Sequence, residues 1–341
     1  MDGLTLRQLR LRLRLSQGEF ADTLNTLLGR SYDKPKVSRW ENVHEPVPDD
    51  VSAAVERLAA SRPQGARTIV FANQKGGVGK TTSALNVAFG LSSLGLRVLL
   101  VDMDPQATAT TALLAEDSVA AFRDRRTMAQ VILSEKELDE VTLTAPDGIG
   151  GRRIPFDLAA SHIDLAETDN RREPGFDAAL REALDGSKTR YDWVVIDAPP
   201  NLGMLTWMAL AAADECIVPV RTEPYDTMGV GLILGTINKV QRRLNPSLRL
   251  GGILPTQYSA RKLVDREVLQ HLMATMAGKA PVLEPVPDSA SFGHAARNGQ
   301  IALEASPAAP GPAVYARLAA ALAHGETLPV CSPALLPTDA G

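Results

Sequence analysis

The sequence predicts an α/β fold, a mostly parallel sheet flanked by helices, preceded by a small all-α domain. Three observations predict it. Short apolar runs of strand length alternate with helix-period stretches from residue 68 onward. A glycine-rich turn stands between the first run and the first helical stretch, where an α/β sheet places its ligand crevice. Residues 1–60 differ in texture, being dense in Leu, Arg and short polar runs.

A length of 341 residues suggests about two domains. Apolar residues make up 45% and aromatics 4%, so Ala, Leu and Val fill a sizeable core. A net charge of −4 argues against nucleic-acid affinity spread over the whole surface but allows a local basic face. Residues 1–67 hold 11 Lys/Arg against 9 Asp/Glu and the remainder 25 against 31, a mild split that favours a DNA-contacting N-terminus. Two distant cysteines, Cys216 and Cys331, and five scattered histidines give no disulfide framework or zinc spacing, which fits a reduced cytoplasm. Arg interrupts the apolar residues of LRQLRLRLRL, so no signal peptide is expected, and Met204–Ala213 is too short to span a bilayer. No membrane partner is expected.

In chain order, LRQLRLRLRL (6–15) reads equally as a first helix or, by its Leu/Arg alternation, as a strand. SQGEFADTLN opens with Ser16 and has Glu19 three later, a capping box that starts a second helix. VSRWENV (37–43) is a third, with Trp40 packed inward. SRPQGAR (61–67) reads as a linker, with Pro63 and Gly65 as breakers. The predicted strands are Thr68–Ala72, 97–102, 193–197, 216–220 and 251–254; PVLEPVP (281–287) is a candidate edge strand because of its prolines. Helices are expected over Thr81–Leu94 and, after the loop SPAAPGP (306–312), over Val314–Ala323. The tail, 325–341, is rich in Pro and Ala and expected to be disordered.

The strongest chemical signal is FANQKGGVGKTTSALNVA (71–88), which follows a strand and opens a helix. Gly76, Gly77 and Gly79 let the backbone fold tightly, so that its N–H groups, with those of Val78 and Thr82, point at phosphate oxygens. Lys80 supplies a cation for the β and γ phosphates, and the Thr81 hydroxyl can ligate Mg²⁺. The bland alternative is a glycine-rich turn with no ligand. The pattern makes the α/β domain P-loop NTPase-like, with ATP and Mg²⁺ as the expected cofactors. Two acidic strand ends support it. Asp102 and Asp104 in VLLVDMDPQ follow a buried strand, where carboxylates are costly unless they meet Mg²⁺, water or a cation. Asp197 ends the strand in YDWVVIDAPPNLG (191–203). A solvated turn is the alternative for each.

K-G-G-x-G-K-T-T, with Gln74 where the general pattern has Gly and with a second lysine, Lys75, closely resembles the deviant Walker A motif of ParA/MinD-family ATPases. D-x-D-P-Q and D-x-P-P are similar to that family's next two motifs. The resemblance spans about 67–324 and is sharpest through Leu114. It implies an ATPase that closes a homodimer on ATP. Lys75 would reach the partner's nucleotide, as an arginine finger does. Asp104 would orient or activate the attacking water, and Asp102 and Asp197 would support the Mg²⁺ shell, largely through water. Thr256 and Pro287 would contact the ATP. Partners implied are DNA and a centromere-binding protein of the ParB type, and the place implied is the nucleoid. Departures are Ser259, where the family carries an acid in T-x-Y-D-x-R, and Asp288 and Ser291, where arginines are common. Arg261, Lys262, Arg266 and Arg297 would compensate on a DNA face, or are simply a solvated helix face. The chain lacks the basic amphipathic end of MinD-like members and the cysteines of nitrogenase-reductase-like members.

The N-terminal region resembles a Cro/repressor-type helix-turn-helix, with LLGRSYDKP (27–35) as an unusually long junction. That resemblance implies a recognition helix offering Lys36, Ser38, Arg39 and Asn42 to the major groove. A helical dimerisation cap is the alternative. The implied function is ATP-dependent DNA segregation with autorepression of the operon. An ATP-responsive transcriptional regulator and an ATPase that positions a protein cargo are the rival readings.

Overall fold

In the computed structural model the described residues are 1–13, 15–61, 65–144, 153–171, 173–224, 226 and 229–332. The N-terminal Leu/Arg alternation folds as a helix, α1 (Gly3–Arg12), with the Asp2 side chain accepting from the Thr5 amide at 2.7 Å. Gly3, Leu6, Arg10 and Leu13 are buried at helical spacing. A strand would have put Leu9, Leu11 and Leu13 on one face and the arginines on the other. The expected capping box starts α2 (Gln17–Leu28): the Glu19 amide donates to Ser16 Oγ at 3.2 Å and the Ser16 amide to Glu19 Oε2 at 2.8 Å. Asp33 caps α3 (Lys34–Glu41), and α4 (Asp49–Ser61) comes next. These helices share a core of Leu6, Phe20, Leu24, Val37, Trp40, Val51 and Val55. Inside it Arg10 donates to both Glu41 carboxylate oxygens, at 2.5 and 3.0 Å, and both residues are buried.

This helical unit rests on the α/β unit. Leu11 joins the core of one of the sheet's helical layers, Arg12 pairs with Asp192 at 3.5 Å, and a Cβ on Gly95 would meet the Gln8 side chain at 2.5 Å. Little of 61–67 is free linker among the described residues. Ser61 ends α4, Gly65 lies against Lys188, and the Ala66 amide donates to the Lys188 carbonyl at 2.7 Å; Pro63 lies outside the described residues.

Six parallel strands form one sheet in the order β3-β2-β4-β1-β5-β6: β1 (Arg67–Phe71), β2 (Val98–Asp102), β3 (Asp157–Ala159), β4 (Trp193–Asp197), β5 (Glu215–Arg221) and β6 (Arg249–Thr256). Strand β3 is an addition to the predicted set, since three residues, DLA, make no readable apolar run. The helices in chain order are α5 (Lys80–Ser93), α6 (Thr108–Leu114), α7 (Ser118–Arg123), α8 (Met128–Ile132), α9 (Leu138–Val141), α10 (Ala179–Asp185), α11 (Met204–Ala212), α12 (Val230–Arg243), α13 (Leu263–Met276), α14 (Ala290–Arg297), α15 (Ala302–Ala305) and α16 (Pro310–His324). Strand alternation builds two apolar layers. Ile69 and Phe71 face α5 and α16, while Val70 pairs with the layer of α8, α10, α11 and α12.

Three C-terminal expectations need correcting. Segment 281–287 makes isolated bridges to Ile253 and Tyr258 and forms no regular strand, because its prolines remove ladder donors. The last helix starts at Pro310, inside the expected loop, since proline suits a helix's first turn. The tail expected to be disordered from 325 is paired as far as Cys331: the Cys331 amide donates to the Val282 carbonyl and the Glu284 amide to the Pro329 carbonyl, each at 2.8 Å. Residues 333–341 lie outside the described residues.

Removing one member of a buried ion pair leaves the other uncompensated. Arg10→Ala is expected to cost about 3–5 kcal/mol, read as a lower urea midpoint by tryptophan fluorescence. Arg10→Met combined with Glu41→Leu should recover most of that loss.

Candidate nucleotide site

The turn from β1 into α5 is held from three directions. Gly77 (φ 71°) and Gly79 (φ 88°) take left-handed backbone that L side chains rarely adopt. Asn73 ties the turn to β5, its Nδ2 donating to the Pro219 carbonyl at 2.7 Å and its Oδ1 accepting from the Lys75 amide at 3.1 Å. From β6 and the residue after it, Thr256 Oγ1 donates to the Val78 carbonyl and Gln257 Nε2 to the Gly77 carbonyl, each at 2.9 Å. Lys80, buried at the first position of α5, folds back to donate to the Lys75 carbonyl at 2.8 Å. Burial pulls its pKa down, and Asp197 and Asp104 partly restore it.

The sheet brings three carboxylates to the same strand ends. Asp102 and Asp197 are register partners across β2 and β4, and both are fully buried. Asp102 is hydrogen-bonded at both oxygens: Oδ1 accepts from the Asp104 amide at 3.1 Å, and Oδ2 from the Thr110 amide at 2.9 Å and hydroxyl at 2.7 Å. Burial raises its pKa to about 6, against those hydrogen bonds. Both of its oxygens are thus engaged within the chain. Asp197 differs, because among the described residues neither of its carboxylate oxygens has a hydrogen-bond partner of good geometry. Burial first, then repulsion from Asp102, push its pKa well above the ordinary range; the Thr81 hydroxyl and Lys80 pull partly back. Asp104 is also buried, and its Oδ1 accepts from the Gln106 amide at 2.9 Å. Burial raises its pKa too, with that amide and Lys80 opposing.

A bare buried carboxylate is costly unless a cation meets it. Asp197, with the Thr81 hydroxyl and the Lys80 ammonium beside it, therefore suits a divalent cation carried by a polyphosphate. Beside the cradle lies a cavity of ≈ 520 Å³ lined by Gly79, Thr82, Thr256, Pro287, Phe292 and Tyr315, which gives room for a base and sugar. A larger hollow, ≈ 760 Å³, sits near Arg97 and Tyr191 and shares no residue with the cradle.

Lys75 points elsewhere. Its Nζ pairs with Asp226, which also accepts from Arg221 Nε at 2.7 Å. The candidate DNA-contacting residues fall in two places. Lys36, Ser38 and Arg39 lie on α3 with Asn42 at its C-terminal end; Arg261 and Lys262 are exposed in the turn before α13. Glu45 pairs with both Lys36 and Arg39, and Asn42 Nδ2 donates to the Ser38 carbonyl at 2.9 Å.

Asp226, Gln257, Asn73 and Thr110 were not singled out by the sequence. Each acts through a partner far away in the chain or eight residues on, so no spacing marks it; only its nearness to a quoted motif gives a hint.

The sheet, the glycine cradle and the acidic strand ends define a P-loop nucleotide-binding protein. Residues 66–250 match a family described as an AAA domain. The chain is 40% identical over 253 residues to the chromosome-partitioning ATPase Soj of Thermus thermophilus, covering 74% of this chain and 94% of that one. It is 37% identical over 210 residues to the chromosome partitioning protein ParA of Myxococcus xanthus, covering 60% and 70%. Among solved structures, cobyrinic acid a,c-diamide synthase from Mycobacterium smegmatis with bound ADP and magnesium matches with a TM-score of 0.64 and 33% identity, over 79% of this chain and 100% of that one. The chain belongs to the ParA/Soj family of chromosome-partitioning ATPases. As a member it is an ATPase, and the cradle with Asp197 fits ATP and Mg²⁺. No described helix is long and apolar enough to cross a membrane.

Asp197→Asn removes the unpartnered charge. It is expected to stabilise the nucleotide-free chain by about 1–3 kcal/mol at neutral pH, while abolishing the rise in Tm on adding ATP with magnesium. The folded state holds the Asp197 proton more tightly than the unfolded chain does, so the penalty grows as pH rises above the ordinary carboxylate range. Thermal melts should therefore show a larger gain at about pH 8 than at about pH 5.

Proposed function

We propose that this ATPase segregates DNA: ATP closes a homodimer, the dimer binds DNA, and a ParB-type centromere-binding protein stimulates hydrolysis and release. The observation that carries the reading is the opposed placement of two lysines on one loop. Lys80 is turned into the cradle, its Nζ on the Lys75 carbonyl. Lys75, at the loop's start, instead pairs with Asp226 beyond β5, with its side chain 36% exposed. A cation held outside its own cradle is suited to another subunit's phosphates.

In this reading Lys80 and the amides of residues 76–82 hold the β and γ phosphates. The Thr81 hydroxyl, and Asp197 through water, hold magnesium, which offsets phosphate charge when bound. Asp104 orients the attacking water and accepts its proton; burial raises its pKa, which makes it a stronger base than an exposed carboxylate. Asp102 keeps the strand end in shape through Thr110. Lys75 of the second subunit neutralises charge developing at the β–γ bridge. Thr256 and Pro287 border the nucleotide beside the cavity. The site of action is the cytoplasm, on the nucleoid.

The N-terminal helices add operator recognition and repression of the chain's own operon, through Lys36, Ser38, Arg39 and Asn42, with Arg261 and Lys262 serving nonspecific DNA contact. A second reading, positioning of a protein cargo, is favoured by one observation: Glu45 neutralises both Lys36 and Arg39. Footprinting on the chain's own promoter DNA separates the two readings, since a cargo-binding N-terminus would protect no site.

Asp104→Ala is expected to bind ATP and accumulate as dimers by light scattering, with turnover reduced about 100-fold or more. Unchanged turnover would remove Asp104 from the mechanism. Arg39→Ala is expected to weaken promoter binding roughly tenfold, the worth of one good contact, while ATP-dependent dimerisation persists.

A further inference from the structure

Asp226 has no role in the proposed ATPase cycle, yet it is placed like a functional residue. It lies beyond β5 in the segment RTEPYD, and its side chain is 1% exposed. Its carboxylate receives two cations from different parts of the chain. Lys75 Nζ pairs with Oδ1, across 151 positions of sequence, and Arg221 Nε donates to Oδ2 at 2.7 Å. Arg221 is itself braced by Glu223 at 3.1 Å. Burial raises the Asp226 carboxyl pKa, but the two cations outweigh it and leave it below the ordinary value.

We propose that Asp226, anchored by Arg221, is the positioning residue for Lys75: it holds the lysine on its own subunit until the triphosphate of a second subunit competes for it. The inference rests on the reading of Lys75 as a lysine that acts across a dimer.

The physics lies in the number of partners. A buried carboxylate with one cation cannot lose it without becoming a bare charge. Asp226 has two. When Lys75 leaves, Arg221 still neutralises Asp226, so departure costs one charge-assisted hydrogen bond and leaves no orphan. Lys75 is the more exposed of the pair, at 36% of its side chain, and is the one that can swing out. Arg221 thus makes the contact releasable, and Asp226 sets the threshold for release.

Two substitutions then act in opposite directions. Asp226→Asn keeps the shape and removes the charge, so Lys75 is freed and ATP-dependent dimers should form at about tenfold lower protein concentration. Arg221→Gln leaves Lys75 as the remaining cation on Asp226, so dimers should need more protein than in the parent chain. A merely structural role would shift both variants the same way. The measurement is analytical ultracentrifugation of the full chain with ATP and magnesium, in an Asp104→Ala background that blocks turnover. In a Lys75→Ala background the Asp226→Asn effect should vanish. If Asp226→Asn does not fold, the Arg221→Gln result decides alone: weaker dimerisation supports the proposal, and stronger or unchanged dimerisation overturns it. Parental dimerisation in Asp226→Asn, with hydrolysis still lost in Lys75→Ala, would overturn the proposal while leaving the cross-dimer lysine intact. Parental hydrolysis in Lys75→Ala would remove both.

Discussion

An unpaired carboxylate at the end of β4 is the constraint around which the ATPase unit is organised. Asp197 is fully buried, and among the described residues neither of its oxygens has a hydrogen-bond partner of good geometry. Interiors tolerate such a group only when function needs it, because the cost is recovered when a cation arrives. The neighbours make sense in that light. Asp102, one strand over, has both oxygens hydrogen-bonded by Thr110 and the Asp104 amide, while its charge adds to the burial that raises the Asp197 pKa. Lys80 is drawn electrostatically to Asp197 and donates to the Lys75 carbonyl, a partner it can exchange for phosphate.

The cradle's rigidity comes from outside itself. Two left-handed glycines make the loop geometrically feasible, but its carbonyls are held by Thr256 and Gln257 at the end of β6, and its start is tied to β5 through Asn73, which donates to the Pro219 carbonyl. Amides presented to an anion gain most when they do not have to reorganise. The P-loop helix α5 then runs from the cradle to Ser93, and two residues on Gly95, in left-handed backbone (φ 83°), lies against the Gln8 side chain of α1. Helix α5 and the α1 contact just beyond it therefore link the nucleotide site to the N-terminal helices.

Charge is managed by the same device at three places. Arg10 and Glu41 satisfy each other inside the N-terminal core, Arg221 and Lys75 share Asp226, and Lys36 and Arg39 share Glu45. In the last two cases one acid serves two cations, and the more exposed cation can leave without stranding the acid.

By itself the sequence determined the sheet's main strands, the glycine cradle with Lys75, Lys80 and Thr81, and the two acidic strand ends at Asp102 and Asp197, because these follow from local periodicity and from residues contiguous in the chain. It left α1 ambiguous, since alternating Leu and Arg satisfies either period until Trp40 and Glu41 supply a partner surface for Gly3 and Arg10. Only the tertiary structure decided which aspartate is hydrogen-bonded at both oxygens and which lacks such partners among the described residues, where Lys75 rests, and how far the C-terminal tail is held by 281–284. Those outcomes depend on hydrogen bonds and ion pairs between segments remote in sequence or aligned by strand register, and such pairings leave no trace in residue spacing.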